Sequence, residues 1–254
     1  MHLSYEFRFG WDTLAPDNNH WGVNAGFSKT VVDGDNAGDN KNTIDSYRVG
    51  LYGDIDLNPY YLDWQVSYAY NDIQPTRKIQ FAGLNRQAQG KTHGAEWGFR
   101  LAAGKMIPVG KQQQLTPNLS FHYVQSHTQS FTETGANAFN LHVEDNQITI
   151  AEISAAIQYS AIWQHSGYHL KPEFRIAAGY DLAADQAISE QTFVGGGSTF
   201  KIKGAKVTRS SALLGTWLSV TSNNKQWTFS ADYDARIKTD YLSHGARVEL
   251  KYQF

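Results

Sequence analysis

The chain closes on His244-Gly245-Ala246-Arg247-Val248-Glu249-Leu250-Lys251-Tyr252-Gln253-Phe254. From Ala246 onward it alternates without a slip. Ala246, Val248, Leu250, Tyr252 and Phe254 fall on one side, and Arg247, Glu249, Lys251 and Gln253 on the other. Successive side chains of a strand point to opposite faces, so this strand has an apolar face and an ionic one. A soluble sheet buries its apolar face. A barrel in a bilayer turns that face to lipid and keeps the polar one for its lumen.

Working back from this stretch, the same period recurs. Leu3, Tyr5, Phe7, Phe9 and Trp11 alternate with Ser4, Glu6, Arg8, Gly10 and Asp12. Tyr47, Val49 and Leu51 oppose Ser46, Arg48 and Tyr52, and Trp64, Val66 and Tyr68 oppose Asp63, Gln65 and Ser67. Trp97, Phe99 and Leu101 oppose Glu96, Gly98 and Arg100. Further segments with this period lie near residues 21–32, 114–130, 147–163, 168–182, 207–221 and 225–236. In 207–221, Leu214, Leu218 and Val220 are expected outward, which turns Trp217 inward. The fold class is therefore all-β. We expect a transmembrane antiparallel barrel of the outer-membrane type, occupying 1–254 as one domain. A soluble lipocalin-type barrel has the opposite polarity, apolar inside and polar outside.

Composition fits the membrane version. Of 254 residues, 14 are Tyr, 13 Phe and 7 Trp, the excess of rings that interfacial girdles need. No run approaches the roughly 18 apolar residues of a membrane helix. A mean hydropathy of -0.48 averages two opposite faces. With no cysteine, disulfides and thiolate metal sites are excluded. A formal charge of -2 argues against nucleic acid as a partner. No basic start and apolar run precede Leu3, so Met1 is read as an added start.

Loop lengths alternate. Short connections lie near 14–20, 58–59, 108–112, 164–167 and 222–224. Longer ones lie near 33–43, 73–92, 131–146 and 183–206, with 237–240 the one short link on that side. Outer-membrane barrels have short periplasmic turns and long external loops. Eleven strands are legible, whereas single-chain bacterial barrels close with an even number. One further strand upstream of Leu3 gives twelve.

The inner face carries the chemistry. Glu6, Arg8, Arg48, Asp54, Asp63, Glu96, Arg100, Glu152, Lys171, Glu173, Arg175, Arg247, Glu249 and Lys251 are expected to line the lumen. Charges of both signs keep a narrow pore hydrated and can hold a helix by charge-assisted hydrogen bonds. No catalytic residue, metal ligand or cofactor is expected. Gly90-Lys91-Thr92 mimics the end of a phosphate loop, but Asn85 stands where glycine is needed. His122 and His127 have odd spacing and so fall on opposite faces. Two other classes stay open. One is an outer-membrane protease or lipid hydrolase built around His93, His142 or His244 near the rim. The other is a surface adhesin using loop 183–206.

The ordered set Trp21-Gly22-Val23-Asn24-Ala25-Gly26-Phe27-Ser28, Ile44 to Gly53, Tyr61-Leu62-Asp63, Glu96-Trp97-Gly98-Phe99-Arg100, Leu115-Thr116-Pro117, Leu170-Lys171-Pro172-Glu173 and terminal Phe254 resembles the translocator (β) domain of bacterial autotransporters, the type V secretion route. The resemblance implies a twelve-stranded barrel in the outer membrane of a Gram-negative bacterium. A helix threads the pore of that barrel, and an N-terminal passenger is exported to the cell surface. Segment 3–13 corresponds to the family's second strand, so the helix, the first strand and the passenger would lie upstream. Glu96 and Arg100, with Arg48, Asp63, Glu173 and Arg175, become candidate plug contacts. Val248, Leu250, Tyr252 and Phe254 become a C-terminal signal for the barrel-assembly machinery, which can capture an open strand edge. Other implied partners are outer-membrane lipid and lipopolysaccharide, and the chain's own passenger. Some members of the family cleave their passenger with lumen carboxylates.

Overall fold

The computed structural model describes residues 2–14, 19–34, 40–81, 83–239 and 241–253. Eleven long strands dominate: β1 (His2–Leu14), β2 (His20–Asp33), β3 (Lys41–Leu57), β4 (Tyr60–Phe81), β5 (Thr92–Lys105), β6 (Gln113–Thr128), β7 (Asn146–Ala161), β8 (Tyr168–Asp181), β9 (Ser210–Ser222), β10 (Trp227–Lys238) and β11 (Tyr241–Tyr252). Each pairs antiparallel with its sequence neighbour, giving one curled up-and-down sheet. Among the described residues β1 pairs only with β2 and β11 only with β10, so the sheet has two free edges.

The sheet is polar inside and apolar outside. Phe9 is 77% exposed and Val248 68%, whereas the buried apolar residues on the long strands below the loops are Ala69, Ala102 and Ala161. A soluble barrel would bury its large apolar side chains, so lipid must take the place of a core. Trp217 faces the lumen, where it lines a cavity with Glu173, Arg175 and Asp232. Leu214 and Leu218 point outward.

Register arranges the outer rings into girdles. Phe7, Phe27, Tyr47 and Tyr70 are direct cross-strand partners on four successive strands. Beside them runs a polar outward row, Lys29, Asp45, Asp72 and His93, again partner to partner. Lys29 lies 3.2 Å from Asp45 and His93 2.8 Å from Asp72. Full charges on the outer face mark where the hydrocarbon ends. At the other end Tyr60, Trp163, Tyr168 and Trp227 are exposed, and Trp227 packs against Tyr252 at 4.4 Å.

One expected loop is a strand. β4 runs on to Phe81 and folds back through a hairpin with the short strand Leu84–Gln89, so most of 73–92 is extended. The segment lacks the lipid-facing alternation because it stands clear of the membrane. There Ile79, Ala88 and Ala136 form a small buried cluster, with Leu84 and Phe139 packed on it. The loops after β6 and β8 add a second sheet of four short strands. In spatial order these are Phe200–Lys203, Ile188–Phe193, Leu141–Val143 and Phe131–Thr132. Glu133 ties the two parts together. Its carboxylate accepts from Arg77 Nε (3.2 Å), Arg77 Nη2 (2.6 Å) and the Leu141 amide (2.9 Å). Its side chain is only 7% exposed. The expectation that 183–206 is a plain loop is therefore also corrected: Gly196 and Gly197, at φ +102° and +128°, turn a hairpin.

Candidate functional site

The site is the lumen, and small residues build it. Arg48 on β3 and Glu96 on β5 are separated by β4. Both are cross-strand partners of Ala69, which lies 2% exposed between them. Over that methyl group Arg48 Nη2 donates to Glu96 Oε1 at 3.0 Å. The device recurs on the far wall. Gly215 is the partner of both Arg175 and Asp234, and Arg175 Nη2 donates across it to both oxygens of Asp234, at 2.8 and 3.1 Å. A Cβ on Gly215 would sit 3.3 Å from Arg175 Nε and closer still to the Asp234 carboxylate. A large side chain on the middle strand would block either pair.

Other inward groups join these. Arg236 Nη1 donates to Glu152 at 3.2 and 3.3 Å, and Ser211 Oγ reaches the same carboxylate at 3.4 Å. Gln158 Nε2 donates to Glu173 at 2.7 Å, and Lys171 lies 2.5 Å from Glu173. Arg247 Nε donates to Asp232 at 2.9 Å. Asp63, Arg100 and His122 line one cavity of about 540 Å³ together with Glu152, Arg175 and Arg236. Tyr52 lies over Gly22, so close that a Cβ there would stand 2.6 Å from the phenol. Glycine at this register lets a large ring lie flat on the inner wall.

All six candidate plug contacts line the lumen side of the sheet. Arg48 engages Glu96. Glu173 and Arg175 share one wall, and Asp63 and Arg100 share the cavity with His122. Two partners fell outside the expected contacts. Asp234 alternates with outward Tyr233 and so falls inward by period, but nothing local marks it as the acceptor of Arg175. Arg236 stood at the last residue of an expected strand that in fact runs on to Lys238. Outward Ile237 beside it is the signal that would have turned Arg236 in. Val248, Leu250 and Tyr252 point outward, while Met1 and Phe254 lie outside the described residues.

The rim histidines are dispersed. His122 faces the lumen and His127 pairs with Ala95 on the outer face. His93 Nδ1 lies 2.8 Å from Asp72 Oδ1. His142 Nδ1 meets Thr132 Oγ1 at 2.8 Å, with Glu144 3.7 Å from its other nitrogen, beyond hydrogen-bond range. Thr92, in the phosphate-loop lookalike, donates its hydroxyl to the Gln129 carbonyl at 2.7 Å as β5 begins. Lumen groups of both signs, already paired and facing water, suit a conduit for a polar or helical segment.

A family sequence model described as "Autotransporter beta-domain" matches residues 3–234. Among solved structures, the translocator domain of autotransporter NalP from Neisseria meningitidis superposes with a TM-score of 0.72 at 16% identity, covering 100% of this chain and 82% of that one. The β domain of the Bordetella autotransporter BrkA gives 0.60 at 17% identity, covering 100% and 90%. Among curated proteins, Esterase EstA of Pseudomonas aeruginosa is 26% identical over 140 residues, 54% of this chain and 22% of that protein. Outer membrane protein B of Rickettsia rickettsii is 20% identical over 253 residues, 96% and 15%. The chain thus spans less than a quarter of the length of these curated relatives.

Proposed function

Because this chain belongs to the autotransporter β-domain family, we propose that it is the outer-membrane part of a longer secretion protein and delivers an N-terminal passenger to the cell surface. The observation that carries the reading is the inverted polarity of the sheet: aromatic and aliphatic outside, charge-paired and water-facing inside.

Residues 1–254 act as one barrel domain. A strand contributed from upstream would satisfy the free edges of β1 and β11, whose backbone groups cannot stay unpaired in hydrocarbon. A helix in the pore would meet Arg48, Asp63, Glu96, Arg100, Glu173 and Arg175. Val248, Leu250, Tyr252 and Phe254 serve as the signal for the barrel-assembly machinery, and lipopolysaccharide surrounds the outer girdle. Any esterase or protease activity belongs to the passenger.

The test is export itself. The chain is extended upstream by a helix, a strand and an epitope-tagged passenger and expressed in a Gram-negative host. Added protease should remove the tag from intact cells. Full retention of the tag in the periplasm, with a heat-modifiable and hence folded barrel, would overturn the reading.

A further inference from the structure

The arm between β8 and β9 carries an uneven charge distribution. Its outgoing leg holds Asp181, Asp185 and Glu190, and each is engaged. Asp181 accepts from the Ala151, Ala183 and Ala184 amides, Asp185 accepts from the Thr149 amide, and Glu190 pairs with Lys201. The return leg holds Lys201, Lys203, Lys206 and Arg209 and no acid. Among the described residues no carboxylate lies within ion-pair distance of Lys203, Lys206 or Arg209, and all three are exposed. In a chain of formal charge -2, three unneutralised cations within seven residues stand out.

Their position supplies the ligand. Arg209 lies 6.0 Å over the ring of Tyr180, and Tyr180 is the last outward-facing residue of β8, 44% exposed. The guanidinium therefore sits on the outside of the sheet, at the interfacial ring of the long-loop end. Its Nη1 donates to the Leu182 carbonyl at 3.1 Å, which fixes it there and leaves its other donors facing out. Exposed Ile188 and Ile202 lie beside the lysines, so the arm pairs apolar and cationic groups as elements at a membrane surface do. We propose that Lys203, Lys206 and Arg209 form a binding site for the phosphate groups of an outer-leaflet lipopolysaccharide. The phosphates take charge-assisted hydrogen bonds from the three cations, and acyl chains lie against the girdle at Tyr180. This deepens the proposed function and rests on the outer-membrane placement.

The test uses the detergent-refolded chain and native mass spectrometry with diphosphorylated lipid A as the probe. The variant Lys203→Glu/Lys206→Glu/Arg209→Glu is compared with Lys111→Glu/Lys225→Glu, which alters cations at the short turns. Each cation near an anionic surface is worth about a fivefold change in binding. Affinity should therefore fall at least about tenfold in the triple variant and stay unchanged in the turn variant. Lys203→Gln/Lys206→Gln, with Arg209 kept, should give a smaller fall in the same direction, and it serves as the test if the triple variant does not refold. Dephosphorylated lipid A should bind poorly, and inorganic phosphate should not compete at equal concentration. Equal binding by wild type and variants, or equal binding of the dephosphorylated lipid, would overturn the proposal. So would capture of a poly-glutamate peptide in preference to lipid, which would assign the strip to an acidic protein, or competition by phosphate at equal concentration, which would assign it to the free anion. Heat-modifiable migration is recorded for every variant. Its loss in wild type would indict the barrel reading, and its retention isolates the lipid site.

Discussion

The guanidinium of Arg247 lies 5.5 Å over the ring of Trp217, two strands away, while its Nε donates to Asp232 on the strand between. One side chain of the last strand thus fastens β9, β10 and β11 across the lumen face. Replacing Arg247 with alanine should loosen this corner alone. Because the group is 62% exposed, the cost should stay within about 1 kcal/mol. Hydrogen exchange should quicken across 241–252 and leave β3 to β5 unchanged. Uniform quickening would mean that the lock is global.

The pair Arg175–Asp234 depends on the missing side chain of Gly215. Gly215→Val should separate the two and strain the wall, costing about 1–3 kcal/mol in urea unfolding. Gly245→Ala provides the contrast, since a Cβ there meets open space, and its cost should be no more than a strand glycine normally shows. Equal effects would remove the steric explanation.

Facing can be tested with two consecutive residues. Ile157 points outward, 54% exposed, and Gln158 points in to donate to Glu173. Ile157→Arg should cost about 1–4 kcal/mol in a bilayer, according to depth, and Gln158→Arg much less. The order would invert if the polarity of the sheet had been misassigned. Unfolding in vesicles reads the difference, and a soluble detergent-free form of either variant would contradict the membrane assignment.

Glu133 holds the outer loops rather than the barrel. Glu133→Ala leaves the Leu141 amide without its acceptor and Arg77 with only the Phe139 carbonyl, at 2.9 Å, a loss of about 1–3 kcal/mol. The expected result is protease cleavage within 129–145 at rates at least tenfold above wild type, with heat-modifiable migration unchanged. Loss of the folded barrel would show that the loop cluster is part of its foundation.

Period-2 alternation carried most of the architecture. Outward Val248 and inward Arg247, inward Trp217 and the free edge at β1 all follow from spacing and from counting strands, because lipid and lumen impose one rule on every strand. What lay beyond reach was anything decided by register. Arg48 and Glu96 are 48 positions apart, and nothing local says that Ala69 will lie between them. Above the membrane the rule lapses. Ile79, Ala88 and Ala136 belong to a small soluble-type core, whose pattern is too short to announce itself, so a strand hairpin read as loop. Arg236 was missed for a simpler reason, since its strand was ended one turn of the pattern too soon.

The strict neighbour-to-neighbour pairing of β1 through β11 has a kinetic consequence. Position around the circumference is position along the chain, so until the barrel closes each long strand finds its partner next to it in sequence. A half-assembled array is already a correct fragment of the final one, differing only in how far it has advanced. At each stage two margins are left unsatisfied, and whatever chaperones the array must cover strand edges as well as read the terminal signal. Deleting a hairpin from the middle should therefore give a narrower object rather than a scrambled one.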